Sequence, residues 1–213
     1  MDGKFISFEG PDGAGKTSVI RQIQEDLEQQ LGKEKVMYIR EPGGSRISEE
    51  IRRVLFDNKN TDMDPRTEAL LFAASRRQLV VSEIIPGLKA GKVILCDRYV
   101  DSSIAYQGAG RGLGEQEIWQ INQFAINGLM PELTIYLDIE SKLGLERIAE
   151  HRSNQVNRLD KEKLTFHQTV RQAYLKLYNA HPDRIKLIDA SQPLASVIKD
   201  VKMTIHDRFS DLF

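Results

Sequence analysis

Residues Phe5 to Thr17 read FISFEGPDGAGKT, and three pieces lie there in a telling order. Phe5, Ile6 and Phe8 form the short apolar run of a buried strand. Gly10-Pro11-Asp12-Gly13-Ala14-Gly15-Lys16-Thr17 then sets four residues between two glycines and follows the second with lysine and threonine. Val19, Ile20, Ile23, Leu27 and Leu31 recur every three or four residues, which is one apolar face of a helix. A strand that enters a glycine turn and leaves as a helix is a phosphate-binding loop in its proper context. Glycines admit positive φ and let main-chain amides turn inward, and the helix start adds partial positive charge, so phosphate oxygens are held by backbone. Lys16 is placed to reach the outer phosphates of a nucleotide, and Thr17 to ligate magnesium.

The rest of the chain alternates strand and helix patterns, which predicts a parallel sheet covered on both faces. After the first, strands are predicted at Val36–Ile39, Val93–Cys96, Leu133–Leu137 and Ile185–Asp189. Right-handed crossovers bring all their carboxyl ends to one edge, where ligands of such sheets bind. Asp97 stands at the tip of the third of these strands, a position from which an acidic residue helps hold nucleotide-bound magnesium. Arg98 beside it carries a planar fork that can bridge phosphate oxygens. Arg40-Glu41-Pro42-Gly43-Gly44 ends the second strand in a charged pair and a tight turn at the same edge.

A helix is predicted from Pro65 to about Ile85, opened by Asp64 as cap and by proline in its first turn. Arg76 and Arg77 sit in its middle among small and apolar residues; composition favours an arginine that snorkels to solvent over one that meets a ligand. Asp101 to Gly108, DSSIAYQG, mixes neutral hydrogen-bonding groups with an aromatic ring, which suits a base and sugar. Gly108, Gly110, Gly112 and Gly114 then predict a loop. From Lys142 a helix pattern gives way to the polar run Glu150 to Arg158, read as a solvent-facing segment. His151 and His167 have no metal-ligand partners at useful spacing.

Composition narrows the alternatives. No apolar run approaches the roughly 20 residues of a membrane helix, and the first strand begins too early for a signal peptide. The lone Cys96 rules out an internal disulfide and suits the cytoplasm. Thirty Lys and Arg against 31 Asp and Glu leave a net charge of -1, so no nucleic-acid partner is expected. A guanine-reading Asn-Lys-x-Asp motif is not completed by Asn58-Lys59-Asn60-Thr61, which argues against a nucleotide-binding switch. One domain, residues 1–213, with a mobile lid at about 142–160, is the expected organisation.

FEGPDGAGKT, REPGG at Arg40 to Gly44, LFAASRR at Leu71 to Arg77, CDRYVDSSIAYQG at Cys96 to Gly108 and NRLD at Asn157 to Asp160 together resemble the bacterial thymidylate kinases. The resemblance spans essentially the whole chain. It implies a P-loop kinase fold, an α/β architecture with a five-stranded parallel sheet, helices on both faces and a small lid. It also implies transfer of phosphoryl from ATP to dTMP with Mg²⁺, in a homodimer. By the same resemblance Gly10 to Thr17 bind the nucleotide, and Thr17 and Asp97 hold the metal. Arg76 and Gln107 meet the thymine edge, Phe72 stacks on its face, and Ser103 lies near the base. Tyr106 crowds the sugar 2' position, and Arg98, assisted by Arg52, takes the acceptor phosphate. Asp12 sits near the 3'-hydroxyl and magnesium, and Glu41 lines the pocket.

One departure from the wider family matters. Eukaryotic members carry a basic residue inside the phosphate loop, where this chain has Pro11, Asp12, Gly13 and Ala14. The resemblance then implies that a lid arginine meets the charge on the transferred group. Arg152 is the first candidate, with Arg147 and Arg158 behind it. Lys16, Arg98, Arg152 and Asp12 are therefore the expected catalytic set.

Overall fold

The computed structural model describes residues 3–151 and 162–213. Its sheet consists of β1 (Lys4–Glu9), β2 (Val36–Arg40), β3 (Val93–Asp97), β4 (Leu133–Asp138) and β5 (Ile185–Asp189), in the order β2-β3-β1-β4-β5. All four neighbouring pairs are parallel, in agreement with the fold expected from the alternating pattern. The described helices are α1 (Lys16–Leu31), α2 (Arg46–Phe56), α3 (Pro65–Leu79), α4 (Ile85–Lys89), α5 (Val100–Ser103), α6 (Glu115–Ile126), α7 (Ser141–His151), α8 (Leu164–Ala180) and α9 (Leu194–Arg208).

The pleat of β1 assigns the layers. Ile6 and Phe8 face one core with Val19, Ile20, Ile23 and Leu27 of α1 and Val197, Val201 and Ile205 of α9. Phe5 faces the other, with Leu79, Tyr99, Val170 and Tyr174. Because successive side chains alternate, Ser7 and Glu9 point the same way as Phe5, so a carboxylate is carried into the second layer at the strand's end. In α1, Gly15 is the N-cap and offers no side-chain bond to the first turn, which also lacks an acidic residue. A glycine in place of a side-chain cap costs only a few tenths of a kcal/mol, whereas each buried Ile or Leu contributes about 2 kcal/mol. Burial therefore holds α1 in place, and its first amides are left for an anion.

Two boundaries differ from the sequence reading. The helix expected to end near Ile85 continues through a π-helical turn, Val80–Ile84, into α4 and ends at Lys89. Pro86 removes one N–H from the hydrogen-bond ladder and falls where the π-helical turn passes into α4. The loop expected from Gly108 starts only at Arg111, because α5 runs on as a π-helical segment over Ile104–Gly110. Gly108 and Gly110 serve close packing there. A Cβ on Gly108 would lie 3.0 Å from Cα of Glu115, and one on Gly110 2.7 Å from the Phe166 ring. Of the expected lid, α7 covers the part up to His151; Arg152, Arg158 and the Asn157 to Asp160 motif lie outside the described residues.

α7 meets the phosphate loop backbone to backbone. Gly13 has φ 81°, and a Cβ there would lie 2.1 Å from the carbonyl oxygen of Gly144. Gly91 shares the positive φ, at 71°, but faces open space. Gly13→Ala should therefore cost roughly 2–4 kcal/mol, strain plus collision, and Gly91→Ala only about 1 kcal/mol. Urea unfolding of the two variants measures the difference; equal losses would remove the packing argument.

Candidate active site

A cavity of about 850 Å³ opens at the carboxyl ends of the strands. The loop Asp12–Ser18 forms one wall, and Glu41, Phe72, Arg76, Arg98, Tyr106 and Gln107 line the other end. Segments around residue 41, residues 72–76 and residues 98–107 thus share one space with the loop.

Lys16 is folded back on that loop, donating from Nζ to the carbonyl oxygens of Gly10 at 2.9 Å and Pro11 at 3.0 Å. Burial pushes its ammonium down to about 8, and the nearby Arg98 charge adds to the effect. Arg98 occupies the centre. Its Nη1 donates to Gly10 O at 3.0 Å, Ser102 Oγ at 3.1 Å and Tyr174 Oη at 3.3 Å, while Nη2 donates to Asp12 Oδ1 at 2.7 Å and Tyr106 Oη at 3.2 Å. Burial would lower its pKa, but the oxygens of Tyr106, Asp12 and Tyr174 outweigh that and hold the guanidinium charged. Its φ of 72° is a strained conformation for a bulky residue, of a kind that persists where the surroundings over-determine it.

Asp12 accepts from both Arg98 and, at 2.7 Å, from the Tyr106 hydroxyl. Burial works to raise its pKa; the charges of Arg98 and Lys16 win and set it at about 2. It is an anion throughout the physiological range.

Beneath these groups lies Glu9, fully buried. Its carboxylate accepts from Tyr99 N at 2.7 Å, Ser102 Oγ at 2.5 Å and Tyr174 Oη at 2.9 Å. Burial and then the charge of Asp101 raise its pKa against these bonds. Glu9 thereby orients the two hydroxyls that Arg98 Nη1 leans on.

Arg76 overturns the snorkelling reading: it is 2% exposed. Its Nε donates to Glu41 Oε2 at 2.6 Å, Nη1 to Ser103 Oγ at 3.0 Å and to Asn122 Oδ1, and Nη2 to Tyr99 O at 3.0 Å. Four of its five N–H groups are spent, and one Nη2–H remains for the cavity. Enough acceptors converge on the guanidinium to replace water, which is why burial is tolerated. Glu41 Oε1 is buried with no hydrogen-bond partner, and burial lifts this carboxyl to about 7 in spite of Arg76. Phe72 packs edge-on against Phe56 at 6.4 Å, and Arg52 lies over Phe56 at 4.6 Å while donating to Pro42 O at 2.7 Å.

Thr17 and Asp97 line the same cavity. Among the described residues there is no group of three or more His, Cys, Asp or Glu that could cage a metal. A hydroxyl and a carboxylate fit Mg²⁺, which keeps most of its ligands as water and phosphate oxygens.

Of the expected residues, Asp12 to Thr17, Glu41, Arg52, Phe72, Arg76, Asp97, Arg98, Ser103, Tyr106 and Gln107 line this one cavity, and Gly10 and Pro11 adjoin it through their bonds to Lys16. Arg147, a reserve candidate for the lid cation, donates to Ala190 O at 2.9 Å and Ser191 O at 3.4 Å. Glu9, Ser102 and Tyr174 were missed. The period-two pattern of β1 could have flagged Glu9, an acid on the inward face at a strand end; Tyr174 sits on α8, and no local signal ties it to the loop.

The family model for thymidylate kinase matches residues 8–201. The thymidylate kinase of Limosilactobacillus reuteri (strain DSM 20016) is 83% identical over all 213 residues, covering both chains completely. That of Latilactobacillus sakei subsp. sakei (strain 23K) is 58% identical, over 100% of this chain and 99% of its own. The crystal structure of thymidylate kinase from Ehrlichia chaffeensis superposes with a TM-score of 0.77 at 30% identity, covering 95% of this chain and 98% of that one. The phosphate loop, the buried arginines at its far wall and these full-length matches agree, and the chain belongs to the thymidylate kinase family.

Proposed function

We propose that the chain transfers the γ-phosphoryl group of ATP to dTMP, giving dTDP and ADP, by the following division of labour. The observation that carries the reading is the position of Arg98, in contact with the phosphate loop at Gly10 and Asp12 and with Tyr106 of the opposite wall. The main-chain amides of Gly10 to Thr17 and the Lys16 ammonium hold the donor's phosphates. Arg98, with Arg52 near it, binds the acceptor's phosphate, and Phe72, Arg76, Ser103 and Gln107 hold its base. Tyr106 crowds the sugar 2' position, while Asp12 receives the 3'-hydroxyl. Glu41 closes the pocket and keeps Arg76 in place.

A phosphate oxygen of dTMP attacks the γ-phosphorus in line, and the bond from that phosphorus to the bridging oxygen of ADP breaks. The attacking oxygen is already anionic, so no general base is needed. What the protein supplies is alignment and countercharge. Thr17 and Asp97 would hold Mg²⁺, which when bound would supply countercharge to the donor's phosphates. Residues 142–160 act as a lid that excludes water from the reacting groups, and Arg152 contributes the cation that meets the developing charge. The reading also places the enzyme in the cytoplasm as one domain.

A coupled assay for ADP with a panel of acceptors tests the assignment. dTMP should be best, dUMP slower and AMP or CMP weak, and removal of Mg²⁺ should silence the reaction. AMP as the best acceptor would overturn it. Arg152→Ala should reduce kcat by on the order of 10³ while changing dTMP affinity little, by analogy with arginine fingers; an unchanged kcat shifts the role to Arg158 or Arg147.

The family resemblance and an exposed apolar face support a homodimer. Phe124 of α6 is 90% exposed and Leu70 of α3 56%, and these two helices pack side by side. Light scattering should find the wild type at twice 24.2 kDa and Phe124→Asp as monomer. A wild-type monomer at micromolar concentration would remove the dimer.

A further inference from the structure

Three residues of α3 lie four apart and so fall on one stripe: Glu68, Phe72 and Arg76. Phe72 and Arg76 reach the cavity, whereas Glu68 is 1% exposed and stops short of it. Glu68 instead accepts from Nε2 of Gln107, at 3.0 Å to Oε1. Arg111 clasps the same carboxylate, donating from Nε to Oε1 and from Nη2 to Oε2, both at 3.3 Å. Arg111 is fixed in turn. Nη1 donates to Glu162 Oε1 at 2.6 Å, and the guanidinium lies 5.1 Å over the Phe166 ring, which sits against the bare Cα of Gly110.

A side-chain amide has two faces of opposite character, and only its partners decide which one is presented. A carboxylate held by a guanidinium can only accept. Gln107 must therefore turn its NH₂ toward Glu68, and its Oε1, which accepts nothing from the described residues, is the group left for the cavity that Gln107 lines. We infer that Glu68 is a positioning residue that locks the Gln107 amide with Oε1 toward the acceptor's base, making the slot selective for a pyrimidine with a proton on N3. This rests on the reading of Gln107 as a contact to the base. Thymine and uracil carry N3–H and satisfy the oxygen. Cytosine has a lone pair at N3, and two acceptors would face each other in a dry site, a mismatch that binding sites reject strongly.

Without the carboxylate the amide can flip and offer NH₂ to cytosine N3. The test measures kcat/KM for dTMP, dUMP and dCMP in the wild type, Glu68→Gln, Glu68→Asp and Gln107→Ala. In Glu68→Gln the dCMP to dTMP ratio should rise about tenfold or more, while the dUMP to dTMP ratio stays level because both bases carry N3–H. Glu68→Asp keeps the charge beside Arg111 but is too short to reach Gln107, so it should show the same relaxation if Glu68→Gln does not fold. A purely structural role for the Glu68–Arg111 pair would reduce all three acceptors together and leave both ratios unchanged, which overturns the inference. Gln107→Ala separates the two levels: if it leaves the dCMP to dTMP ratio unchanged, the assignment of Gln107 to the base is what fails. If it alters that ratio and neither Glu68 variant does, Gln107 reads the base without being steered by Glu68.

Discussion

One guanidinium ties the site together. Arg98 comes from the residue just past β3, yet it bonds the carbonyl of Gly10 and the carboxylate of Asp12 on the loop past β1, and the hydroxyls of Tyr106 and Tyr174 beyond. Adjacent parallel strands make this possible, because Phe8 of β1 pairs in register with Asp97 of β3 and their loops leave the sheet side by side. The left-handed backbone at Arg98 turns its side chain into that gap. A charge so placed would be costly alone; ringed by oxygens it is held protonated.

The anions around it are divided by depth. Asp12, against Arg98 and Lys16, is held at about 2. Glu9 and Glu41 are more deeply enclosed and go the other way, raised by burial. Both are buried and orient neighbours: Glu9 holds Ser102 and Tyr174, and Glu41 holds Arg76 through Oε2 alone. The cavity wall therefore carries both charges, with Asp12, Glu41 and Asp97 among the arginines and aromatic rings that line the space, while Glu9 and Glu68 stand behind it. These carboxylates set the direction of groups that could otherwise rotate.

The helix after β3 shows how packing serves the same end. A π-helical turn carries Tyr106 and Gln107, and Gly108 and Gly110 let it press against α6 and α8. Irregular turns of this kind accumulate at functional sites because they redirect side chains without breaking the helix.

The phosphate loop, the five strands and the apolar faces of α1 and α9 were legible in the sequence. Each depends on residues within a few positions of one another, through the twofold pleat, the 3.6-residue turn and glycine's freedom at positive φ. The motifs that carry the family resemblance are likewise contiguous. What the chain order could not state is which distant groups would neutralise one another. Arg76 looked free to reach solvent until Glu41, Ser103 and Asn122 converged on it from three other segments. Gly108 and Gly110 looked like a turn until Glu115 and Phe166 were found against them. The sequence by itself determined where the phosphate loop forms and how the layers are built, since glycine's backbone freedom and periodicity encode both. Only the tertiary structure decided the orientation of Arg76, Arg98 and Gln107, because desolvation and hydrogen-bond partners are set by residues that become neighbours when the sheet is assembled.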